Sequence, residues 1–410
     1  TRTVKQTTTY DTTYGMPITV EDSGDTAKSG DEICTRTTYV RNTAAWLIGS
    51  PSRVETYASA CAENPTLPDD TISDVTTAYD GQAVGVPPTK GDATASYRVA
   101  DYDANRQPIY KVVSTSSYDA LGRLITATDA LNRTSTTSYV SAGTGYGPVV
   151  RLTSTDPKQY TSTTDVDPAW GTALKFVDPN GNVTEQAVDA LGRLISVWKP
   201  DRARALNDAP SLVYTYSVNN DKETWIRTDT LKADGKTYNT MYEILDSLLR
   251  PRQKQVPSPT GGRVISETLY DDRGQAYIKN DQVHDNLAPE GRLANTFPGS
   301  VPASTETVFD GAGRATDSIF RVYDQERWRT STRYEGDRTS VTAAPGGSGT
   351  LTVTDARGRT IERREYAGPT PAGADYSTTR YTYTPGGQVE SITGPDGAVN
   401  RSGSDGGSIP

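Results

Sequence analysis

For chemistry the chain offers one histidine, His284, two cysteines, Cys34 and Cys61, and 51 Asp and Glu side chains in 410 residues. A Ser-His-Asp or Cys-His engine needs an imidazole to carry the proton. Here it would have to run through His284, which lies in "KNDQVHDNLAPEG", a polar segment that reads as a loop. The single histidine excludes a His-rich zinc or iron site, and a zinc site on Cys34 and Cys61 would need unusual further ligands. There is no Gly-x-Ser-x-Gly elbow, no Gly-x-x-x-x-Gly-Lys and no Gly-x-Gly-x-x-Gly opening a helix, so no motif requires a cofactor. Asp165, Asp167 and Asp178 with Asn180 and Asn182 could offer oxygen ligands to Ca²⁺, though not in EF-hand order. Carboxylate pairs are common enough that only their placement, two carboxyls about 5 to 10 Å apart in a cleft, would mark a glycosidase.

The carboxylates are not scattered at random. "YDALGRL" begins at Tyr118 and "VDALGRL" at Val188, with "YDDRGQA", "FDGAGRA" and "TDARGRT" from Tyr270, Phe309 and Thr354. "TDALNRT" from Thr128, "YDANRQP" from Tyr102 and "YDGQAVG" from Tyr79 are looser versions. Catalytic loops are normally written once, so the repetition points to architecture. An Asp at the first turn position can bind backbone amides, and a Gly three residues later can take positive φ without a Cβ clash. The phrase is therefore a hairpin turn. Asp119, Gly122 and Arg123 form one, and Asp189, Gly192 and Arg193 another. Asp310, Gly313 and Arg314, Asp355, Gly358 and Arg359, and the shorter Asp271 with Gly274 follow. Arg123 can meet Asp119, while the Tyr118 ring can pack near Leu124 or its equivalent in a neighbouring hairpin.

The elements that carry these turns follow from composition. Only 34% of residues are hydrophobic, but 24 Tyr and 5 Trp with dense Thr and Val suit half-buried pleated surfaces, and 36 Gly and 25 Pro supply turns. The fold class is all-β. At roughly 10 to 12 residues per strand and turn, the chain supplies about 35 strands in a ribbon on the order of 170 Å long. An open twisted sheet of that size must wind up, leaving a centre too wide to fill with side chains. The turns recur after 10 residues from Asp119 to Asp129 but after 45 from Asp310 to Asp355, so the turn is kept while the arms vary.

The net charge of −9, with no block of Lys or Arg, argues against nucleic acid as a partner. No apolar stretch approaches the ~20 residues of a membrane span. If Cys34 and Cys61 pair, the closed loop is worth about 3 kcal/mol or more and implies an oxidising compartment; the alternative is two buried free thiols.

Tyr-Asp-x-x-Gly-Arg-Leu units along a β-rich chain resemble the Rhs family, or YD-repeat proteins, which include bacterial polymorphic toxins, toxin-complex C components and teneurins. The best stretch is "FVDPNGNVTEQAVDALGRL", Phe176 to Leu194, and the likeness runs from about Tyr79 to Asn400. "CTRTTYVRNTAAWLIGSPSRVET", from Cys34, is similar to the segment before the repeats in secreted, wall-associated members. The resemblance implies a coiled β-ribbon shell around an unfolded or inactive carboxy-terminal toxin. It divides the chain into a leading segment 1–78, a repeat shell 79–400 and a Gly/Ser-rich tail 401–410. The family's Asp-Pro-x-Gly-Leu closing motif is missing after "GPDGAVN" at Gly394, so wall without plug or cargo is expected; starting at Thr1 without Met, the chain is expected to be either processed or cut from something longer. The expected partners are the remainder of the shell and a cargo polypeptide. The leading expectation is a non-enzymatic encapsulating scaffold, secreted or attached to a bacterial cell wall. Two competitors are an adhesion module stacking Trp170, Trp198 or Trp328 on cell-surface glycan, and a β-helical polysaccharide-degrading enzyme.

Overall fold

The computed structural model describes residues 2–143 and 146–401. It holds 29 strands, from β1 (Val4–Tyr10) to β29 (Val399–Arg401), and two short 3₁₀ turns at Arg204–Leu206 and Pro298–Ser300. Each strand pairs antiparallel with its sequence neighbours, giving a single meander without a crossover. Residues before Tyr79 supply the first five strands of the same sheet, so the leading segment continues the wall. The tail from 402 to 410 lies outside the described residues. Strands are fewer than the ~35 expected at 10 to 12 residues each, because long connections such as 58–70, 80–92, 199–211 and 286–302 use chain without adding a strand.

A meander places alternate turns at opposite ends of its strands. Turns after odd-numbered strands form one rim, here the odd rim, and turns after even-numbered strands form the even rim. Three contacts show how the ribbon coils. Arg2, just before β1, binds Asp337 at 3.3 Å, in the turn between β23 (Gln325–Glu335) and β24 (Arg338–Thr342). Arg357, between β25 (Thr350–Thr354) and β26 (Thr360–Tyr366), binds Asp22 at 3.0 Å and the Asp31 carbonyl, where β2 (Pro17–Asp25) passes to β3 (Ile33–Asn42). Asp70 and Ile72, where β4 (Leu47–Tyr57) passes to β5 (Thr71–Tyr79), line a cleft of about 400 Å³ with Thr384 to Gln388. That last turn joins β27 (Tyr376–Tyr383) to β28 (Val389–Thr393). Each contact joins points 23 strands apart, and each sets the even rim of the first coil on the odd rim of the second.

Twenty-three strands at about 4.8 Å give a circumference near 110 Å, about 35 Å across and wider once the strands tilt. The wall is thin. The molecule exposes 24602 Å², whereas a compact monomer of 44.2 kDa would expose about 15,500 Å². Among the described residues 13 hydrophobic side chains are buried, scattered along the chain from Cys34 to Tyr366. The architecture is an open, coiled antiparallel β-ribbon.

Candidate functional site

The repeated turn is built the same way each time. The Asp119 amide donates to the Arg123 carbonyl at 2.9 Å, and the Gly122 amide to the Asp119 carbonyl at 3.1 Å. The Asp119 carboxylate accepts the amides of Leu121 and Arg123 at 2.9 and 3.0 Å and Arg123 Nε at 2.6 Å. Gly122 has φ 73°, so the loop is a type I turn closed by a left-handed bulge residue. Arg193 Nε to Asp189, Arg314 Nε to Asp310 and Arg359 Nε to Asp355 repeat the ion pair at 2.7, 2.8 and 2.7 Å. Gly192, Gly274, Gly313 and Gly358 all have positive φ. In Asp119 and Asp310 the amide of the residue four positions on does most to hold the carboxyl below its usual range, and the arginine adds to it. At Asp271 the fifth residue is Gln275, whose side chain donates to the Gly313 carbonyl of the adjoining odd-rim turn at 3.0 Å.

Gly192 carries a second constraint, since a Cβ there would lie 2.7 Å from Trp170 Cγ, whereas one at Gly122 would meet only Asp92 at 3.6 Å. Both positions are left-handed, so Gly122→Ala is expected to cost about 1 to 2 kcal/mol and Gly192→Ala about 1 kcal/mol more. Urea unfolding of both variants, repeated with Trp170→Ala present, checks this. The two costs should converge when the indole is gone.

The next strand back to the odd rim locks each turn in place. The guanidinium of Arg123 lies 4.6 Å from the Tyr139 ring, Arg193 4.6 Å from Tyr216, Arg314 4.4 Å from Tyr334 and Arg359 4.6 Å from Tyr383. Each Tyr hydroxyl then donates to the carbonyl just after that arginine, at Leu124, Leu194, Ala315 and Thr360. Tyr118 makes the same bond to Ala93 O at 3.0 Å, so its hydroxyl reaches back to the preceding hairpin. A fifth clamp joins Arg250 to Tyr270 at 4.1 Å, on the turn Asp246 to Arg250 that has Leu249 at φ 61° in place of glycine. Cation–π contacts of this kind are worth about 0.5–1 kcal/mol each at exposed sites. From Asp189 onward the arginine-bearing turns at 189, 246, 310 and 355 stand four strands apart, although the residue spacings are 57, 64 and 45. The period is kept in strand number.

A second feature gave no sequence signal. Residues 286–302, between β20 (Ala276–Asp285) and β21 (Ala303–Phe309), form a strap across β18 (Pro251–Pro257) and β19 (Arg263–Tyr270). Gln253 pairs with the Ala294 peptide through both amide atoms, at 2.8 and 2.9 Å. Gln255 accepts the Glu290 amide at 2.9 Å and donates to the Arg292 carbonyl at 2.7 Å. Arg263, 2% exposed, binds Asp285, Gln255 and Glu290. Burial works against the Asp285 carboxylate, but Arg263 and the Leu287 amide outweigh it and hold its pKa below the usual range. Ile265, Val283 and Val301 make the apolar patch under the strap.

Several sequence expectations are corrected. His284 lies in β20, not in a loop, with Nε2 3.0 Å from the Gly261 carbonyl; buried Asn280 and Val283 are three residues apart and reach one face through a bulge, which breaks the period-two signal. The proposed Ca²⁺ ligands do not converge. Asp165 is paired with Arg151, while Asp167 and Asp178 close turns at opposite ends of the strand Ala173–Val177. Among the described residues no group of three or more His, Cys, Asp or Glu side chains is placed to hold a metal ion. Cys34 and Cys61 form a disulfide that ties the 58–70 loop to β3. Trp198 is buried under Arg204, and Trp328 stacks on Phe320. Among the described residues no helix is long and apolar enough to cross a membrane.

No family model and no curated protein matches the chain. Solved structures do. The crystal structure of TcdB2-TccC3 aligns with a TM-score of 0.69 and 13% identity over 94% of this chain and 26% of that one. The crystal structure of TcdB2-TccC3-Cdc42 gives 0.66 and 12% over 93% and 28%. The fold is an Rhs-like β-shell. At this identity the likeness is one of fold alone, and the chain spans about a quarter of the length of these neighbours.

Proposed function

We propose that this Rhs-like chain is the non-enzymatic wall of a secreted, Rhs-type polymorphic toxin from a bacterium, enclosing a toxin polypeptide outside residues 1–410. The carrying observation is the return of one rim onto the other after 23 strands, which wraps a single-layer sheet around an open bore. Allowing about 5 Å of side chain on each side, the bore is roughly 25 Å wide for upright strands and about 35 Å at the usual strand tilt. That admits an extended chain or several helices of about 10–12 Å diameter. Glycan adhesion has less support, because Trp198 is buried and Trp328 already stacks one face on Phe320, which leaves Trp170 beside Gly192 as the open indole.

The test is limited proteolysis of the uncut gene product. The segment outside residues 1–410 should survive within the assembly and be degraded when expressed alone. Equal cleavage rates in the two settings would discard the container reading.

A further inference from the structure

The two faces of the wall carry different chemistry. Residues paired across antiparallel strands point to the same face, so the registers trace each face along the chain. Arg151↔Asp165, Asp165↔Lys175, Lys175↔Glu185 and Glu185↔Trp198 follow one another on one side. With Arg227 and Asp229, all six charged residues in the strands from β9 (Thr134–Ser141) to β16 (Thr224–Leu231) lie there. From β21 to β25 only Arg327, in a bulge, departs from this rule. The charges pair along the face, as in Arg151 with Asp165 and Arg321 with Glu306. Three long connections fold onto the same face: 58–70 through Cys34 and Arg36, 199–211 through Trp198, and 286–302 through Gln253 and Gln255.

The opposite face is mostly hydroxyl in these stretches. Thr137, Thr164, Thr184, Thr228, Thr330 and Thr332 stand on it. The exposed large hydrophobic residues it holds there are Phe176 and Trp328, on well separated strands. The turn arginines that stack on its tyrosines, such as Arg123 on Tyr139, are neutralised at the rim by their own aspartates. Lys111, Glu243, Lys254 and Lys279 are charges it carries elsewhere.

Strand handedness decides which face is inside. Strands in a closed wall lean right-handed about its axis, in keeping with their twist, so a ribbon crossing them descends as a left-handed coil. On a rising strand of L-residues, a side chain turned toward the viewer has its own amide and carbonyl on the viewer's right. Asp119, two residues beyond Ser117 on the charged face of β7 (Pro108–Tyr118), donates its amide toward the next strand, to the Arg123 carbonyl. Seen from that face with the odd rim uppermost, the ribbon therefore advances to the right. Its second coil lies below, because the even rim of the first rests on the odd rim of the second. Right and downward is left-handed only when viewed from outside.

We infer that the hydroxyl face lines the bore and is the surface on which the cargo rests, and that it fits a polypeptide whose backbone is unpaired. Each hydroxyl both donates and accepts, so it can meet either backbone group of an unfolded chain, whereas a folded domain has already paired them. A lining with few fixed charges does not select the cargo by its own charge, and isolated aromatics offer contact without a patch large enough to seize one sequence. This rests on the container reading and adds the surface that would do the holding.

Photo-crosslinking in the uncut gene product tests it. Benzoylphenylalanine at Thr137, Thr164 or Thr332, on the bore face, should couple to many peptides of the segment outside residues 1–410. Yields should be at least tenfold those from Ser138, Thr163 or Arg333, the outward neighbours, with each variant keeping the parent's circular dichroism spectrum. Equal coupling from the two faces, coupling from the outward positions alone, coupling to one short sequence only, or adducts that are not polypeptide would overturn the inference. Protease protection of the same samples separates the two readings. Protection together with any of those crosslinking results removes the lining and leaves the container, whereas loss of protection removes both.

Discussion

Arg263→Met is expected to lower stability by about 1 to 3 kcal/mol, the range for leaving the buried Gln255 acceptor short of a donor, because the carboxylates of Asp285 and Glu290 can turn to solvent. The guanidinium is the hub on which Asp285, Gln255 and Glu290 converge. Methionine keeps much of the volume but leaves their acceptors without a buried donor. The loss should begin locally, because those acceptors hold the strap. Limited proteolysis should cut within 286–302 before any global unfolding, and hydrogen exchange should rise at Ala294. Arg133→Met is the control: that arginine pairs with Asp129 within one repeat turn and is exposed, and surface pairs contribute little. Equal losses in the two variants would mean the strap is not held by this cluster.

Replacing Cys34 and Cys61 by Ala should cost about 3.5 kcal/mol, from the chain-entropy expression for a loop of this length, at their separation of 27 residues. The effect should also reach far along the sequence. The 58–70 loop pinned by the disulfide leads into Asp70 and Ile72, which face Thr384 to Gln388 across the inter-coil cleft. Exchange should therefore quicken at 384–388, more than 300 residues from Cys61. Urea unfolding with and without reductant, together with exchange at these two segments, checks both parts. Loss of stability without faster exchange at 384–388 would show that the loop does not hold the coils together.

The turns were legible because their chemistry is local: Asp119, Gly122 and Arg123 complete nearly every bond within five residues. The clamp tyrosines were not, since Tyr139 or Tyr383 meets its arginine only after the chain has gone out to one rim and returned. Asp246 to Arg250 escaped notice because Leu249 occupies the position where glycine is the usual signal. The strap read as featureless loop because the side chains that bind it, Gln253 and Gln255, are polar residues on a distant strand. Thin hydrophobic content correctly announced a wall rather than a solid body. The coiling repeat could not be counted, because it depends on how many strands the connections leave over.

An odd number of strands per revolution limits how such a molecule can change. Lengthening a connection such as 199–211 leaves every later strand on its old neighbour and every rim facing as before. Inserting one more hairpin does not. It would advance the downstream ribbon by two places, so that Arg357 no longer arrived at Asp22 and Thr384 no longer arrived at Asp70. Duplicating a hairpin would thus break every contact between the coils downstream of it, while a longer loop would leave them in place.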